Sequence, residues 1–437
     1  MSSDPPSAPP VSAAAVQRRG LSSYLKPFPI LHAGNAGVNM IYALGQTLVF
    51  ARSLDKALFA QTIAMVTISL YVLPINQAVA RANFVVVRRQ VVAGNGAHDL
   101  PEVGLAFHLS QALMILSALL APMITHTASL GAYLILAAFA GFNTLTNLWS
   151  FELQMVMLAV ERPLAFEIAS LLRRAANIIT LTWLWFSHDF NLFVLLVFAQ
   201  AVLFQVWLMR YAARSGELFA WPAHLSRAAL AAHAHQLWTS AQATFAEWLT
   251  LNGPYALFTL RFGVGGGLIV LDTGMKLLRI GLTATRNFSE IALPTVSRAV
   301  LEKRGAAATR AVIMVLAVSC APVLLLAAVM VFREHWLFNV LLSHNNVMPA
   351  GSGLIFAVAL LAGVGFQAGS HLVGHVGRPS DIRLFTLGAA TSFACVAIYI
   401  LGFHPDMNGA LWAVSLGVVG AAASGLSTIV RTLRAAR

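Results

Sequence analysis

Long apolar runs, separated by short polar or charged breaks, dominate the chain. Twelve such runs lie at about 29–50, 57–80, 103–122, 128–157, 165–187, 190–211, 236–260, 265–296, 308–332, 350–372, 382–403 and 408–430. Each reaches the roughly 20 residues that a helix needs to cross a hydrocarbon layer about 30 Å thick, and several are long enough to tilt. The pattern predicts an all-α polytopic membrane protein with twelve transmembrane helices. The longest connection inside the hydrophobic region, at 212–235, divides the runs into six and six. The expected layout is a disordered cytoplasmic tail at 1–28, a first six-helix bundle at 29–211, a cytoplasmic linker at 212–235 and a second six-helix bundle at 236–437.

Composition agrees with this picture: 58% of residues are hydrophobic and only 10% are charged. The net charge of +12 would by itself fit a nucleic-acid binder, but its distribution gives another reason for it. With the N-terminus inside, 21 Lys and Arg, Arg81, Arg173 and Arg174 among them, fall to the cytoplasmic side. Only Arg52, Lys56, Arg261 and Arg333 fall to the other. That asymmetry is an orientation signal, so both termini are predicted to be cytoplasmic and no nucleic-acid partner is expected. Cys320 and Cys395 sit in apolar runs as small hydrophobes, and no disulfide framework or metal cluster is expected. The first twenty residues, rich in Ser, Pro and Ala, lack the apolar core of a secretion signal.

The eighth run departs from the pattern. Asp272, Lys276, Arg279, Arg286 and Glu290 follow at steps of four, three, seven and four, with Thr283 between them. On a helix they share a stripe roughly 80° wide and about 27 Å long, close to the thickness of the hydrocarbon layer. Asp272 with Lys276, and Arg286 with Glu290, can each pair along the helix. Arg279 has no acid three or four residues away, so it must face a partner, a water-filled cavity or an anionic ligand. The first run offers neutral polar groups on one face: Asn35, Asn39, Tyr42 and Gln46. These suit either sugar contacts or helix-to-helix hydrogen bonds.

Both halves start from the same side, which allows a parallel internal repeat. FARSLDKALFAQ follows the first run and the second ends in VLPINQAVARA; TLRFGVGGGLIV follows the seventh and the eighth ends in IALPTVSRA. Pro74 with Arg81 thus echoes Pro294 with Arg298. A short Arg-containing loop, then a helix ending in Leu-Pro and a small-residue/Arg pair, repeated in both halves of a chain of twelve runs, resembles the polysaccharide flippases. These belong to the multidrug, oligosaccharidyl-lipid and polysaccharide exporter superfamily.

That resemblance implies two six-helix bundles around a central cationic cavity, bordered by the first, second, seventh and eighth helices and opening alternately to the two faces. It also implies the cargo, an undecaprenyl-diphosphate-linked glycan carried from the cytoplasmic to the periplasmic leaflet of a bacterial inner membrane, with polysaccharide polymerase machinery as a further candidate partner. A flippase makes no covalent bond, so no enzyme activity is expected and no cofactor beyond a coupling ion, proton or sodium. For a diphosphate, Arg279, Arg286 and Lys276 are the candidate donors, since Arg stays charged and matches phosphate oxygens. Asn35, Asn39 and Gln46 are the candidate sugar contacts. Glu247 and Glu152, acids far from either interface, are candidates for coupling or for neutralising Arg279, together with Asp272 and Glu290. Glu247 is preferred, because the resemblance puts its helix beside the eighth.

Arg173 and Arg174 are expected to meet lipid headgroups. His371 and His375 lie one turn apart without a further ligand for a metal. Pro74 and Pro254 are candidate bending points. A cation-coupled multidrug exporter of the same superfamily would need an acidic or aromatic pocket instead, and a peptidoglycan-precursor flippase usually has fourteen helices. An integral-membrane glycosyltransferase or polymerase would need a large external loop, whereas the longest here runs only over about 333–349.

Overall fold

The computed structural model describes residues 28–92, 100–125, 129–159, 163–214, 226–301, 304–376 and 379–435. Apart from Phe28, the expected tail lies outside them, as do residues 215–225 of the expected linker. Each of the twelve apolar runs falls on helix, and no strand occurs among the described residues. In hydrocarbon every backbone amide must be satisfied within its own segment, which leaves the helix as the solution for such runs.

The first half comprises α1 (Phe28–Ser53), α2 (Lys56–Val92), α3 (Pro101–Leu120), α4 (Leu130–Thr144), α5 (Ser150–Ala159), α6 (Pro163–Ser187) and α7 (Phe190–Arg214). The second comprises α8 (Arg227–Leu251), α9 (Gly253–Phe262), α10 (Gly266–Leu301), α11 (Gly305–Phe332), α12 (Glu334–Leu342), α13 (Ser352–Val376), α14 (Pro379–Gly402) and α15 (Met407–Ala435). The fourth run is one rod in which a π-helical stretch, Leu145–Trp149, joins α4 to α5. The short α12, in the connection after α11, has no counterpart among the twelve runs. Helix α2, at 37 residues, extends well past the run that predicted it, and α10, at 36, by a little over a turn.

Eight helical spans are long and apolar enough to cross a membrane: those over α2, α3, α4–α5, α7, α11, α13, α14 and α15. The other four runs, on α1, α6, α8–α9 and α10, are too polar to meet that measure. Their polar side chains are nonetheless taken inside the protein: Asn35, Thr47, Glu167, Arg173, Glu247 and Asp272 are all buried. The outer faces carry the reverse pattern, with Leu172, Phe186, Leu325 and Phe332 largely exposed to the surroundings. Such a surface suits lipid and would be a liability in water.

Aromatic rings fill the first half, where Phe50 packs edge-on against Phe190 and Phe193 at 5.9 and 5.6 Å between centroids. In the second half small residues bring backbones together. A Cβ added at Gly369 of α13 would lie 2.7 Å from the Cα of Gly425 on α15, closer than any side chain can approach.

The two candidate bending prolines behave differently. Pro254 stands in the first turn of α9, where its missing N–H is not needed, and the seventh run breaks at Asn252 into α8 and α9. Pro74 lies inside α2, which continues through it as one helix. Without an amide at position 74 the Leu70 carbonyl loses its partner four residues on, and the Trp248 indole of the other half donates to it at 2.8 Å. A local loss in one helix thereby becomes a tie between the halves.

Candidate functional site

The charged stripe of α10 lies on the seam between the halves, and each of its described charges is matched. The Asp272–Lys276 pair forms as the spacing predicted, with Nζ 2.7 Å from Oδ2. Tyr255 of α9 donates its hydroxyl to Asp272 Oδ1 at 3.0 Å. Lys276 also donates to Thr47 Oγ1 on α1 at 3.1 Å, so this ammonium bridges the two halves.

Arg279 finds its partner in the break of the seventh run. Its Nη2 donates to the Leu251 carbonyl at 3.1 Å and to Asn252 Oδ1 at 2.6 Å, and the guanidinium lies 5.3 Å from the centre of the Tyr255 ring. Leu251 is the last residue of α8, whose terminal carbonyls have no partner within the helix and carry its negative dipole end. Arg279 therefore meets a helix terminus and an aromatic face, and neither candidate acid, Glu247 or Glu152, is the partner it takes here.

Glu247 pairs with a different cation. Its Oε2 lies 3.2 Å from Arg81 Nη2 of α2 and accepts from the Ser370 hydroxyl of α13, also at 3.2 Å. His371 and Arg286 are near enough to act on its charge. Arg81, assigned to the cytoplasmic loops from sequence, is thus an inward-facing, largely buried partner across the seam. Arg286 crosses the seam as well, with its guanidinium 5.8 Å from the Phe151 ring centre of α5. The side chains of Glu290 and His375 lie outside the described residues, so the Arg286–Glu290 pairing and the second histidine are not described.

The polar face expected on α1 does not act as one wall. Asn35 is buried against α6: its amide donates to Glu167 Oε2 at 2.6 Å, and its Oδ1 accepts from Arg174 at 2.7 Å. Asn39 is exposed, Gln46 is buried, and the buried Tyr42 hydroxyl has no hydrogen-bond partner. Arg173 and Arg174, expected at lipid headgroups, instead turn into the first half. Arg173 is buried with its guanidinium 4.8 Å from the Phe204 ring, and Arg174 holds Asn35. This cluster fastens α1 to α6 and stands apart from the seam.

Glu152 of α5 is a third environment. It is 1% exposed, accepts from Asn76 Nδ2 at 2.7 Å and Ser110 Oγ at 2.5 Å, and is also contacted by Gln111 Nε2. All three donors are neutral. It neither reaches Arg279 nor pairs with any cation among the described residues.

Sequence reasoning missed Asn252, Tyr255, Thr47 and the seam role of Arg81. For the first two a signal existed, since Asn-Gly-Pro at 252–254 is a helix-stopping tripeptide and the helix end it creates is an acceptor for a cation. For Arg81 the charge count named a side of the membrane and carried no information about burial. A buried and a cytoplasmic arginine at a helix end look alike in sequence. The two small cavities described in the structure lie elsewhere, in apolar surroundings such as that lined by Val296, Val312, Leu372 and Ile429. The described part of the stripe meets partners on α1, α5, α8 and α9.

The fold is similar to that of solved structures described as MATE transporters of the MOP superfamily. A multidrug resistance MATE transporter in an inward-facing conformation matches with a TM-score of 0.71 at 10% identity, over 93% of this chain and 98% of that one. A Vibrio cholerae MATE transporter variant matches with a TM-score of 0.65 at 16% identity, over 93% and 95%. A MOP superfamily transporter from Pyrococcus furiosus, described as having a binding pocket of reverse polarity that suggests a different function, matches with a TM-score of 0.66 at 12% identity, over 94% of each chain. The likeness is one of fold. No protein-family model matches the chain, and no curated protein matches it in sequence.

Proposed function

We propose that the chain is a flippase that carries an undecaprenyl-diphosphate-linked oligosaccharide from the cytoplasmic to the periplasmic leaflet of a bacterial inner membrane. In this reading it has twelve spans and two cytoplasmic termini, and it works alongside a polysaccharide polymerase. The observation that carries the reading is the sign of the seam. Arg81, Lys276, Arg279 and Arg286 stand there against two described carboxylates, Asp272 and Glu247. Arg279 holds neutral acceptors, and Lys276 holds one in Thr47 beside its pair with Asp272; a diphosphate would outcompete these, since a charge-assisted bond to phosphate is roughly twice as strong as a neutral one. Alternating access then amounts to exchanging contacts between the halves for contacts to the headgroup.

The second reading is a cation-coupled multidrug exporter, favoured by the description of one similar structure as a multidrug resistance transporter. Charge sign separates the two, because a cationic drug calls for an excess of acids. The test is translocation in proteoliposomes of a polyprenyl-diphosphate-linked oligosaccharide beside a cationic dye, for wild type, Arg286→Lys and Arg286→Ala at matched incorporation. The expected result is movement of the diphosphate lipid and no movement of the dye. Arg286→Ala should be slowed about 10- to 100-fold, as loss of a charge-assisted contact of roughly 1.5–3 kcal/mol implies, and Arg286→Lys less. Dye movement without lipid movement would replace the flippase by the exporter, and movement of neither would remove both.

A further inference from the structure

Arg173 is a buried cation that the seam does not use, and it differs from the other arginines taken inside the protein. Arg81 has the Glu247 carboxylate at 3.2 Å, Arg174 has the Asn35 carbonyl and side-chain oxygens at 2.5 and 2.7 Å, and Arg279 has the Leu251 carbonyl and Asn252 Oδ1 at 3.1 and 2.6 Å. Arg173 is only 7% exposed, and its Nε and Nη1 are buried with no hydrogen-bond partner. It takes part in no ion pair among the described residues. Glu167, the acid of this cluster, lies by Arg174 and is held by Asn35 Nδ2 at 2.6 Å and Gln154 Nε2 at 3.3 Å.

The local sequence explains why the guanidinium points inward. Ser170, Arg173, Asn177 and Thr180 follow at steps of three, four and three and are all buried, so α6 turns one polar face to its neighbours α1 and α7. Tyr42 of α1 is near enough to act on the Arg173 charge, and its hydroxyl is buried with no hydrogen-bond partner. One turn along α6, Asn177 Oδ1 is orphaned as well. A half-turn of that amide puts an N–H in its place with no other movement.

These groups call for a negative charge. A buried carboxylate can take a proton and become neutral, whereas arginine stays charged and has that escape closed to it. The Phe204 ring, 4.8 Å from the guanidinium, attracts the charge but leaves Nε and Nη1 without an acceptor. Water would take the hydrogen bonds and leave the charge uncompensated. Among the described residues the cluster holds two guanidiniums, Arg173 and Arg174, against the one carboxylate of Glu167, a surplus of one positive charge.

We propose that Arg173, Tyr42 and Asn177 form a binding site for a halide ion, chloride in the first instance, between α1, α6 and α7 in the first half of the chain. A monovalent sphere matches the surplus of one and accepts N–H and O–H donors from any direction. A lipid phosphate would have to bring its ester chains to a side chain that is 7% exposed. A diphosphate carries more negative charge than the surplus balances. The site is separate from the seam and stands whether the cargo is a glycolipid or a drug.

The test is equilibrium binding of radioactive chloride to the purified full chain in detergent, in a gluconate background, with no cargo present. Wild type is expected to bind one chloride per chain saturably, with bromide competing. Arg173→Met should abolish binding. Tyr42→Phe and Asn177→Leu, which keep the guanidinium, should each weaken it about tenfold or more, as loss of a hydrogen bond to a charged group implies. Melting curves give a second reading: chloride in place of gluconate should raise the melting temperature of wild type and leave that of Arg173→Met unchanged. The same curves report folding, so Tyr42→Phe and Asn177→Leu decide the matter if Arg173→Met does not fold. Absence of saturable binding in wild type overturns the proposal, as does binding retained in Arg173→Met or undiminished in both milder variants. Binding lost in Arg279→Gln but retained in Arg173→Met would place the ion on the seam and overturn it too. Stabilisation by phosphatidylglycerol that Arg173→Met loses, without chloride binding by wild type, would give the site to a lipid phosphate instead and likewise overturn it. No outcome here bears on the cargo, which the proteoliposome experiment decides separately.

Discussion

At the scale of single residues, the seam shows how one side chain's environment is set by another far away in the chain. Arg81 and Glu247 are separated by 166 positions, yet each is largely buried by and paired with the other. Removing one member of a buried pair leaves a charge without compensation, which costs about 3–5 kcal/mol in soluble proteins, while replacing both with apolar groups is often close to neutral. Glu247→Gln is therefore expected to lower the melting temperature in detergent, and Arg81→Met with Glu247→Met to recover most of the loss. A double variant no more stable than the sum of the two singles would mean that the pair is not coupled. Arg279 teaches a related lesson. Its partner is a backbone carbonyl exposed by the Asn252 break, so its position depends on where α8 ends.

At the scale of elements, close approach replaces the hydrophobic effect as the source of packing inside a bilayer, because lipid tails are as apolar as the helices themselves. The α13–α15 crossing is the clearest instance, since a Cβ at Gly369 would sit 2.7 Å from Gly425 Cα. Backbone cannot yield there as a side chain would. Gly369→Val should push the helices apart at a cost of about 1–3 kcal/mol, seen as a lower melting temperature in detergent. Gly402→Val, at a position with open space around it, is the control expected to change little. Unchanged melting of Gly369→Val would mean that the helices can separate freely at that crossing.

At the scale of the molecule, the halves are joined by a series of polar contacts along the seam. Arg52 Nη2 donates to the Val340 carbonyl at 2.7 Å and Asn345 Nδ2 to the Ala51 carbonyl at 2.9 Å, both between the end of α1 and the region of α12. Lys276–Thr47, Trp248–Leu70 and Arg81–Glu247 continue the series. A transporter that opens between its halves must release some of these while keeping others. Ala51→Cys with Asn345→Cys, in a chain whose Cys320 and Cys395 are replaced by Ser, should crosslink under mild oxidation and stop translocation, and reductant should restore it. Full translocation by the crosslinked protein would place the moving parts elsewhere.

The sequence by itself determined where the helices run and which helix carries a row of charges, because in hydrocarbon a long apolar run has little choice but helix. It also determined the local Asp272–Lys276 pair, since four residues of helix bring those side chains together whatever else the chain does. Polar residues in the apolar runs marked the interior in part: Asn35, Glu152, Glu247 and Arg279 found partners inside, while Asn39 is exposed. Only the tertiary structure decided which partner each one has. Glu247 went to Arg81, Arg279 to the end of α8, Asn35 to Glu167 and Arg174, and Glu152 to three neutral donors. Composition and spacing act along a single helix, whereas these pairings depend on the relative position and rotation of helices distant in sequence. That is also why Arg81, Arg173 and Arg174 could be counted as loop charges in a one-dimensional reading and yet be buried in the fold.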